Sequence, residues 1–502
     1  MTAAGGPGPI GPGAGGPAAL RLVAGWVAAQ IGGAVTAGDA AREFGNVSID
    51  TRTMKAGDLY IGIRGERFDG AGFTGAAIEA GAAGVVVPRS RASVLAQGLA
   101  GSSAARAASE GGQTGTEPPV VIEVDDTTEA LQALAHGIRQ ASGTKVVAIT
   151  GSAGKTTTKE VTSEFLEVRY RVVRNRGNFN NHIGLPLSLI ELRQRPEMAV
   201  VELGMNHAGE ISTLVRVAEP DVRVWTNVGE AHLGFFASLD AIADAKAEIL
   251  EGADPSTLLV ANVDDPRIAA RIGAFRGRVV TFGIESAAAD VRASAVVDRG
   301  IDGTSARVTT RRGAVEITTP LLGRGNLANI LAATAVAEEF GVPLASVAAR
   351  AAQLRPSAHR GEVVRLASGV TVIDDSYNAN PTATRKALEV MAGGGAARRI
   401  AVIGEMLELG ERSAELHQSV GRAAASAGVN VLLAVGGAPA KALADAAIAA
   451  GMPAASVRYF ATSDEAADAA AALVKTGDLV LVKGSRGVNT DRVVDRLKAE
   501  RS

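Results

Sequence analysis

The hydrophobic residues of this chain are concentrated in short apolar runs that are separated by segments of helical length. In the middle of the chain these runs predict five strands, which are Val146–Thr150, Met198–Leu203, Val222–Asn227, Thr257–Asn262 and Val279–Phe282. A nearly continuous apolar run is typical of a parallel strand that is covered on both faces. Segment 289–320 is richer in Thr, Val and Gly, and we expect it to extend the sheet with antiparallel strands.

The last third of the chain repeats this pattern, with Ala-rich helical segments between the apolar runs. Its predicted strands are Val370–Asp374, Arg399–Gly404, Val431–Val435 and Leu479–Val482. The pattern indicates a second doubly wound unit, whose ligands are expected at the carboxyl ends of the strands. Residues 20–126 predict a smaller α/β unit with strands at Asp58–Ile63 and Gly84–Pro88.

These patterns predict an α/β fold with three domains in series. The expected boundaries are 20–143, 144–354 and 355–502, after a disordered tail at residues 1–19. The tail is rich in Gly, Pro and Ala, so it buries too little surface to offset the entropy lost on ordering. A Ser/Ala/Gly/Glu insertion between Gly98 and Pro118 is expected to be a mobile loop.

Composition narrows the class of protein. The chain has 502 residues, of which 47% are hydrophobic and 21% charged, as in soluble proteins with large cores. Its net charge of −2 gives no reason to expect nucleic acid or an anionic membrane as a partner. The absence of cysteine excludes disulfides and thiolate metal sites. We see no signal-peptide pattern and no apolar stretch near the roughly 20 residues that cross a bilayer, so we expect a cytoplasmic protein. We also expect a monomer.

One strand-to-helix junction carries the strongest chemical signal. After the strand Val146–Thr150 the chain enters a glycine-flanked loop, and Lys-Thr then opens a helix-forming segment, Lys159–Tyr170. Such a loop directs backbone N–H groups and one ammonium at a polyanion and leaves a hydroxyl for the metal. Ile149 replaces the first glycine of the common pattern, so the spacing is tighter. We interpret the loop as a triphosphate site; the alternative is an ordinary turn. Its members are Gly151, Ser152, Ala153, Gly154, Lys155, Thr156 and Thr157.

Three further side chains are candidates to serve such a site. Glu202 ends a predicted strand, where a carboxylate is well placed to hold Mg²⁺; the alternative is a hydrophilic strand terminus. His232 lies just beyond the next strand, although a lone histidine is more often structural than a ligand. Lys246 lies on a predicted helix that Ser238 caps and Gly252 ends, and the residue pattern alone indicates a solvated lysine.

Three polar loops also fall where an α/β domain meets its ligand. The loop Asn178–Pro186 contains three Asn, one His and one Gly, and it either lines a polar cleft or forms a simple turn. Asp374–Pro381 follows one strand of the last domain, and Lys483–Gly487 follows another. None of these loops identifies a function alone.

Taken together, these segments resemble the Mur ligase family, whose members build the peptidoglycan stem peptide with ATP. The resemblance extends from about residue 46 to 495. It is carried by Ser48–Arg52, the phosphate loop, Asn178–Pro186, Ala231–Leu233 with Lys246 after it, Gly325–Asn329, His359–Arg360 and Asp375–Pro381. Within the family, Val201–Ile211 and Asp374–Pro381 are most similar to members that add D-alanyl-D-alanine. The Asp-Asn-Pro-Arg stretch that is usual in diaminopimelate-adding members is absent near this last position.

The resemblance implies a three-domain Mur ligase architecture with a central P-loop ATPase-like parallel sheet and a C-terminal Rossmann-like domain. It also implies a ligase that uses ATP and Mg²⁺ and adds D-alanyl-D-alanine (D-Ala-D-Ala) to UDP-N-acetylmuramoyl-tripeptide through an acyl phosphate. The product would be the pentapeptide precursor of peptidoglycan. Two alternatives stay open: a ligase of this fold that adds another amino acid, and a P-loop phosphotransferase or ATP-driven switch that makes no amide.

The roles implied by the resemblance fall on matching positions of this chain. Lys155 would contact the γ-phosphate, and Arg360 would approach the transferring phosphate. Thr156, Glu202 and His232 would serve Mg²⁺, and Lys246 would be carbamylated to give an anionic ligand for a second metal ion. The remaining roles are uridine-nucleotide binding by Ser48, Asp50, Thr51 and Arg52, adenosine binding by Asn326 and Asp375, and contact of Asn378 and Asn380 with the incoming dipeptide. Relatives often carry His where Gly325 precedes Asn326, so the phosphate contacts follow from the resemblance more directly than the adenine contacts.

Overall fold

The structure, a computed structural model, describes residues 18–65, 68–91, 117–175, 177 and 179–501. The predicted tail up to Pro17, most of the predicted Gly98–Pro118 insertion, and Asn178 lie outside the described residues. The chain forms two compact units. The first unit contains the described residues between 18 and 145, between 175 and 199, and 217–219, and the second contains 146–174, 200–216 and 220–501.

The N-terminal region contains a small, mostly parallel sheet. Its elements are β1 (Leu22–Val23), α1 (Ala24–Gln30), β2 (Ala34–Ala37), β3 (Glu43–Phe44), β4 (Val47–Ser48), β5 (Leu59–Ile61), α2 (Thr74–Glu79), β6 (Gly84–Pro88), β7 (Val120–Val124) and α3 (Thr127–Ser142). Among the described residues the five-stranded sheet has the order β2-β7-β6-β5-β4, with only β2 antiparallel to its neighbour. Because β4 and β5 are parallel, the segments that follow Ser48 and Ile61 leave the sheet at the same edge.

A large sheet occupies the middle of the chain. Its strands are β8 (Lys145–Thr150), β9 (Val172–Arg174), β10 (Met198–Glu202), β11 (Val222–Trp225), β12 (Leu258–Asn262), β13 (Arg278–Gly283), β14 (Val291–Asp298), β15 (Thr304–Thr310) and β16 (Gly313–Thr319). The helices of this region are α4 (Lys155–Leu166), α5 (Gly184–Ile190), α6 (Glu210–Ala218), α7 (Leu239–Ala247), α8 (Pro266–Ala269), α9 (Gly323–Glu339) and α10 (Leu344–Ala351). In the described chain the strand order is β16-β15-β14-β13-β12-β11-β8-β10-β9. Strand β8, which leads into the phosphate loop, therefore lies between β11 and β10.

The last third forms a six-stranded sheet with helices between its strands. The elements are β17 (Glu362–Arg365), β18 (Thr371–Asp375), α11 (Pro381–Ala392), β19 (Arg398–Gly404), α12 (Ser413–Ser426), β20 (Val431–Val435), α13 (Ala438–Ala449), β21 (Val457–Phe460), α14 (Ser463–Leu473), β22 (Asp478–Lys483) and α15 (Asp491–Arg501). In the described residues the order is β17-β18-β22-β19-β20-β21, and all pairs except β17–β18 are parallel. The final strand lies between β18 and β19, so Lys483 is in register with Asp375.

Each strand that the hydrophobic pattern predicted coincides with an observed strand of the described chain. Strands β14, β15 and β16 pair antiparallel to one another, which confirms the predicted extension at 289–320. The predicted helix Lys159–Tyr170 was wrong in its bounds, because α4 begins at Lys155 and ends at Leu166. The predicted strand Val222–Asn227 was too long: β11 ends at Trp225, because Thr226 and Asn227 turn their side chains to the phosphate loop. No helix among the described residues is long and apolar enough to cross a membrane.

Candidate active site

The phosphate loop joins β8 to α4 in a conformation that requires glycine. Gly154 is the N-cap residue of α4 and has φ +80°. A Cβ at this position would also lie 2.6 Å from Oδ1 of Asn329 on α9. Both observations exclude a larger residue, because the left-handed conformation and the close neighbour leave no room for a side chain. The N-terminus of α4 therefore stays open to a ligand that seeks backbone N–H groups.

Two residues just beyond β11 hold the loop in place. The Asn227 side chain pairs with both sides of Ala153, accepting from its N–H and donating to its carbonyl at 2.9 Å each. The Thr226 hydroxyl donates to the same carbonyl at 3.1 Å. The Ser152 hydroxyl accepts a hydrogen bond from the Gly229 N–H at 2.9 Å. The loop is thus fixed before any ligand binds, which limits the entropy lost on binding.

Lys155 is the cation of this loop. Its ammonium donates to the carbonyl of Gly151 at 2.8 Å. Desolvation lowers the pKa of the Lys155 ammonium, the carboxylate of Glu202 opposes that shift, and the guanidinium of Arg360 adds to it. The structure therefore brings Lys155, Glu202 and Arg360 into one electrostatic site.

Thr156 and Glu202 form the acidic side of the site. The Thr156 hydroxyl donates to Oε2 of Glu202 at 2.8 Å, and Glu202 is only 2% exposed. One carboxylate and one hydroxyl suit Mg²⁺, which takes few protein ligands and fills its remaining positions with water and phosphate oxygens. Within the described residues no three acidic or histidine side chains are gathered so as to hold a metal ion. The donors present fit an ion that is completed by a nucleotide.

Lys246 is buried, in contrast to the solvated lysine that the residue pattern alone indicated. It lies on α7, which Ser238 caps as predicted by accepting from the N–H of Ala241 at 3.1 Å. The side chain is 1% exposed. Burial lowers the pKa of Lys246 well below 10.5, and the charge of Lys155 lowers it further, against the carboxylate of Glu248. The residue is thus a largely desolvated amine beside the phosphate loop.

Glu248 fixes the end of this lysine helix. Its carboxylate accepts from the N–H of Gly209 at 2.6 Å and from the N–H of Ser212 at 3.0 Å. Gly209 immediately precedes α6 and Ser212 lies in its first turn, where a carboxylate is stabilised by free N–H groups and by the helix dipole. The contact ties the helix of Lys246 to the segment that follows Glu202.

His232 contacts a carboxylate from the turn that follows β19. Its Nδ1 lies 2.7 Å from Oε2 of Glu408, and this contact lowers the pKa of the Glu408 carboxyl. Arg360 comes from the same part of the chain, and its guanidinium lies 3.9 Å from the centre of the Tyr377 ring. Two residues assigned to the phosphate region are therefore held by partners from the last third of the chain.

The residues assigned to adenosine lie on two different elements. Asn326, in the first turn of α9, donates to the carbonyl of Leu322 at 3.0 Å and accepts from Asn329 at 3.2 Å. Asp375 accepts from the buried ammonium of Lys483 at 2.6 Å. Thr157, the last member of the loop, lines a cavity that Val161, Leu321 and Ser357 also line.

The two asparagines assigned to the dipeptide have local roles in this structure. Asn378 is exposed, its side chain accepts from the N–H of Ala379 at 2.9 Å, and its carbonyl accepts from Lys483 at 3.0 Å. The Asn380 side chain caps α11 by accepting from the N–H of Ala383 at 2.8 Å. Asn380 thereby sets the start of that helix, as a polar N-cap residue does.

The residues assigned to the uridine nucleotide form a turn after β4. The Ser48 hydroxyl donates to the carbonyl of Asp50 at 3.0 Å. The Arg52 guanidinium is highly exposed and pairs with the Asp50 carboxylate at 2.6 Å. That contact is the main cause of a pKa of about 2 for Asp50. Thr51 lies in the same turn, at the sheet edge where β5 also ends.

Comparison with known proteins decides the family. Three Mur ligase domains match the chain: the Mur ligase family catalytic domain at residues 43–139, the Mur ligase middle domain at 149–337, and the Mur ligase glutamate ligase domain at 359–486. The UDP-N-acetylmuramoyl-tripeptide–D-alanyl-D-alanine ligase of Bacillus subtilis strain 168 is 32% identical over 463 residues, which cover 90% of this chain and 92% of that protein. The enzyme of the same name from Escherichia coli K12 is 34% identical, over 78% of this chain and 81% of its own length.

The chain belongs to the Mur ligase family.

Solved structures agree with this assignment over almost the whole chain. MurF from Acinetobacter baumannii has a TM-score of 0.82 and 28% identity, covering 96% of this chain and 99% of that one. MurF ligase from Thermotoga maritima, in complex with ADP, has a TM-score of 0.76 and 27% identity, covering 91% and 97%. The predicted three-domain Mur ligase architecture is therefore confirmed.

Several residues that build this Mur ligase site had no predicted role. Thr226 and Asn227 had been placed inside a strand, although two polar residues at the end of an apolar run mark the carboxyl edge of a sheet. The burial of Lys246 was also missed, although the residue lies four positions after the buried Ile242 on the same helix. No local pattern pointed to Glu248 or Glu408, because their partners are distant in sequence.

Proposed function

We propose that this Mur ligase joins D-alanyl-D-alanine to UDP-N-acetylmuramoyl-tripeptide in a reaction driven by ATP. The relatives that carry this activity in their names are 31–34% identical over most of the chain. The observation that carries the proposal is the arrangement of Lys155, Arg360 and the Thr156–Glu202 pair around one phosphate loop. This arrangement suits phosphoryl transfer, in which positioning and charge stabilisation do most of the catalysis.

The chemistry requires an activated carboxylate. The terminal carboxylate of the tripeptide attacks the γ-phosphorus of ATP and displaces ADP, which gives an acyl phosphate. The amine of D-Ala-D-Ala then attacks the acyl carbon, phosphate leaves, and the nitrogen loses a proton. Two anions meet in the first step, so the cations Lys155 and Arg360 stabilise its transition state. No enzyme nucleophile takes part.

Mg²⁺ would be held by Thr156 and Glu202 on the loop side. Bound there, it would neutralise charge on the phosphate oxygens and orient them. We assign His232 and Lys246 to a second ion. A lowered pKa raises the fraction of lysine that is a neutral amine. A neutral amine attacks CO₂ and loses a proton to form an anionic carbamate. Carbamylation would convert the buried amine of Lys246 into a metal ligand.

The remaining site residues would hold the ends of the substrates. We assign Asn326 and Asp375 to adenosine, Asn378 and Asn380 to the incoming dipeptide, and Ser48, Asp50, Thr51 and Arg52 to the uridine nucleotide. Domain boundaries at 20–143, 144–354 and 355–502, a monomeric state and a cytoplasmic location are further parts of the proposal.

The decisive assay follows phosphate release from ATP. We expect release to require both UDP-N-acetylmuramoyl-tripeptide and D-Ala-D-Ala, and to match the amount of pentapeptide product measured by mass spectrometry. Incorporation with a panel of radiolabelled amino acids would expose a ligase of different acceptor specificity. ATP hydrolysis that continues without any peptide carboxylate would instead indicate a phosphotransferase or an ATP-driven switch.

Arg52 provides a test of the uridine-nucleotide assignment. Arginine can hold a pyrophosphate or carboxylate with two parallel hydrogen bonds, as it already holds Asp50. We expect Arg52→Ala to weaken binding of the UDP-linked tripeptide about tenfold or more and to leave ATP binding almost unchanged. Calorimetric titration of both ligands measures this.

Arg91→Ala is the matched control, because Arg91 is also an exposed arginine paired with a carboxylate, that of Asp69. If Arg52 is only a surface ion pair, the two variants will bind the UDP-linked substrate with equal affinity, and the uridine-nucleotide assignment is wrong.

A further inference from the structure

Two turns of the second unit meet in a backbone-to-backbone contact. One turn, residues 229–234, follows β11, and the other, residues 405–410, follows β19. The N–H of Gly234 donates to the carbonyl of Glu408 at 2.8 Å. A Cβ on Gly410 would lie 2.8 Å from Cα of Gly234, so the two turns approach each other at a distance that only glycine allows. The contact is therefore built into both turns.

The side chains that meet across this contact belong to strained residues. His232 has φ +61° and Glu408 has φ +64°, which places both in the left-handed region. Histidine is found there several times more often than most residues, but glutamate is not. Such strain persists only where the surroundings hold it, and it concentrates at functional sites. Here the strain on each side points one side chain at the other.

The turn that carries Glu408 is held by a buried histidine. His417 is fully buried, its Nδ1 donates to the carbonyl of Ser413 at 2.7 Å, and its Nε2 accepts from the N–H of Met406 at 2.9 Å. Desolvation lowers the pKa of His417, which favours the neutral ring that this pair of bonds requires. His417 thus fixes the backbone of the turn two residues before Glu408.

The same turn is tied to the segment assigned to the dipeptide. The N–H of Leu407 donates to the hydroxyl of Ser485 at 2.9 Å, and that hydroxyl lies 3.3 Å from the carbonyl of Ala379. The turn that carries His232 is tied to the start of α11 in the same way. Its Glu230 accepts a hydrogen bond from the Thr382 hydroxyl at 3.2 Å and pairs with Arg385. Both tethers lie beside Asn380, where α11 begins.

We propose that Glu408 is a positioning residue for His232. Through Glu408, the orientation of this histidine is coupled to the binding of D-Ala-D-Ala at the segment that contains Asn378 and Asn380. A carboxylate on Nδ1 holds the proton there, so Nε2 carries the lone pair that binds a cation. The inference rests on the proposed function, since it takes His232 to serve the Mg²⁺–nucleotide side of the reaction.

The test compares Glu408→Gln with Glu411→Gln in the full-length enzyme. Glu411 is an exposed glutamate three residues further along the same segment. Removal of a carboxylate that orients a ligating histidine typically weakens metal binding or activity by about 10- to 100-fold. We expect Glu408→Gln to lower kcat and the Mg²⁺-dependent affinity for a non-hydrolysable ATP analogue within that range, with little change in KM for the UDP-linked tripeptide. Glu411→Gln is expected to match the wild type.

A double-mutant cycle separates positioning from a merely structural role. In the His232→Ala background, Glu408→Gln should have little further effect on analogue affinity, because the residue it positions is gone. Equal effects in both backgrounds, or a Glu408→Gln enzyme indistinguishable from Glu411→Gln, would overturn the inference. The double-mutant cycle measures the affinity for the ATP analogue by calorimetry, and this measurement does not require amide formation. A wild-type enzyme that binds the Mg²⁺–analogue complex but makes no pentapeptide would therefore refute the proposed function while leaving the Glu408–His232 coupling measurable.

Discussion

Lys155→Ala is expected to lower turnover by about 100- to 1,000-fold, the usual effect of removing one charge-stabilising group from a transition state. Lys155 is partly buried in the phosphate loop, and its ammonium donates a hydrogen bond to the Gly151 carbonyl. In such a site a positive charge is screened far less than in water, so its loss is not made good by solvent. Steady-state phosphate release at saturating substrates measures the effect.

Lys441→Ala is the control for this experiment. Lys441 is exposed on α13 and pairs with Asp445 at 2.9 Å, so its removal deletes a lysine without touching the phosphate loop. Thermal unfolding would show that both variants are folded. A folded Lys155→Ala enzyme with near-normal turnover would remove the loop from the mechanism.

Lys246→Ala is expected to be nearly inactive, and partly rescued by added formate or acetate. The structure places this lysine 1% exposed beside the phosphate loop, where a small carboxylate can replace the carbamate that the truncated side chain no longer forms. Rescue should saturate with carboxylate concentration and should be absent for Lys155→Ala. A ¹³C carbamate resonance in wild type supplied with labelled bicarbonate, lost in Lys246→Ala, would be independent support.

Lys246→Arg distinguishes a carbamate from a simple cation. Arginine stays charged and forms no carbamate at neutral pH, so the variant should be as inactive as Lys246→Ala. Full activity in Lys246→Arg would mean that the residue acts through positive charge, and the second metal ligand would have to be found elsewhere.

The same lysine predicts a pH dependence of stability. Between the lowered folded-state pKa of Lys246 and its ordinary value of 10.5, the unfolded chain binds a proton that the folded chain does not. The free energy of unfolding contributed by this group therefore rises with pH across that window, and the contribution falls as pH is lowered through it. In Lys246→Met, the free energy of unfolding, measured by denaturant titration, should rise less between neutral and alkaline pH than in the wild type. An identical slope would mean that the folded-state pKa is not depressed.

The phosphate loop was predictable because its parts are contiguous. A β-branched strand, a glycine-flanked turn and Lys-Thr at a helix start are local features, and each restricts the backbone of only a few residues. The contact between Thr156 and its partner could not be predicted from a local pattern. Glu202 was recognised as a strand-end carboxylate, but its bond to Thr156 spans 46 positions and depends on β10 lying next to β8.

The local sequence pattern also did not predict the burial and pairing of side chains whose environment is set by other elements. Lys246 was interpreted as solvated from its residue type, and it is buried because its helix packs with that face inward. Arg52 was assigned to a ligand, and in this structure its guanidinium pairs with the carboxylate of Asp50, two residues away. Burial and pairing are properties of the packed chain, and helical spacing supplies only a candidate face.

The sequence by itself determined the α/β class, most strand positions, the phosphate loop and the capped helix of Lys246, because periodicity and backbone preference act over a few residues. Tertiary structure decided which distant side chains meet. The last strand, β22, lies beside β18 and so brings Lys483 to Asp375 across 108 positions. In the same way, the turn after β19 brings Glu408 to His232 across 176 positions. These contacts follow from the order of strands in each sheet and the packing of one turn on another, which no short stretch of sequence encodes.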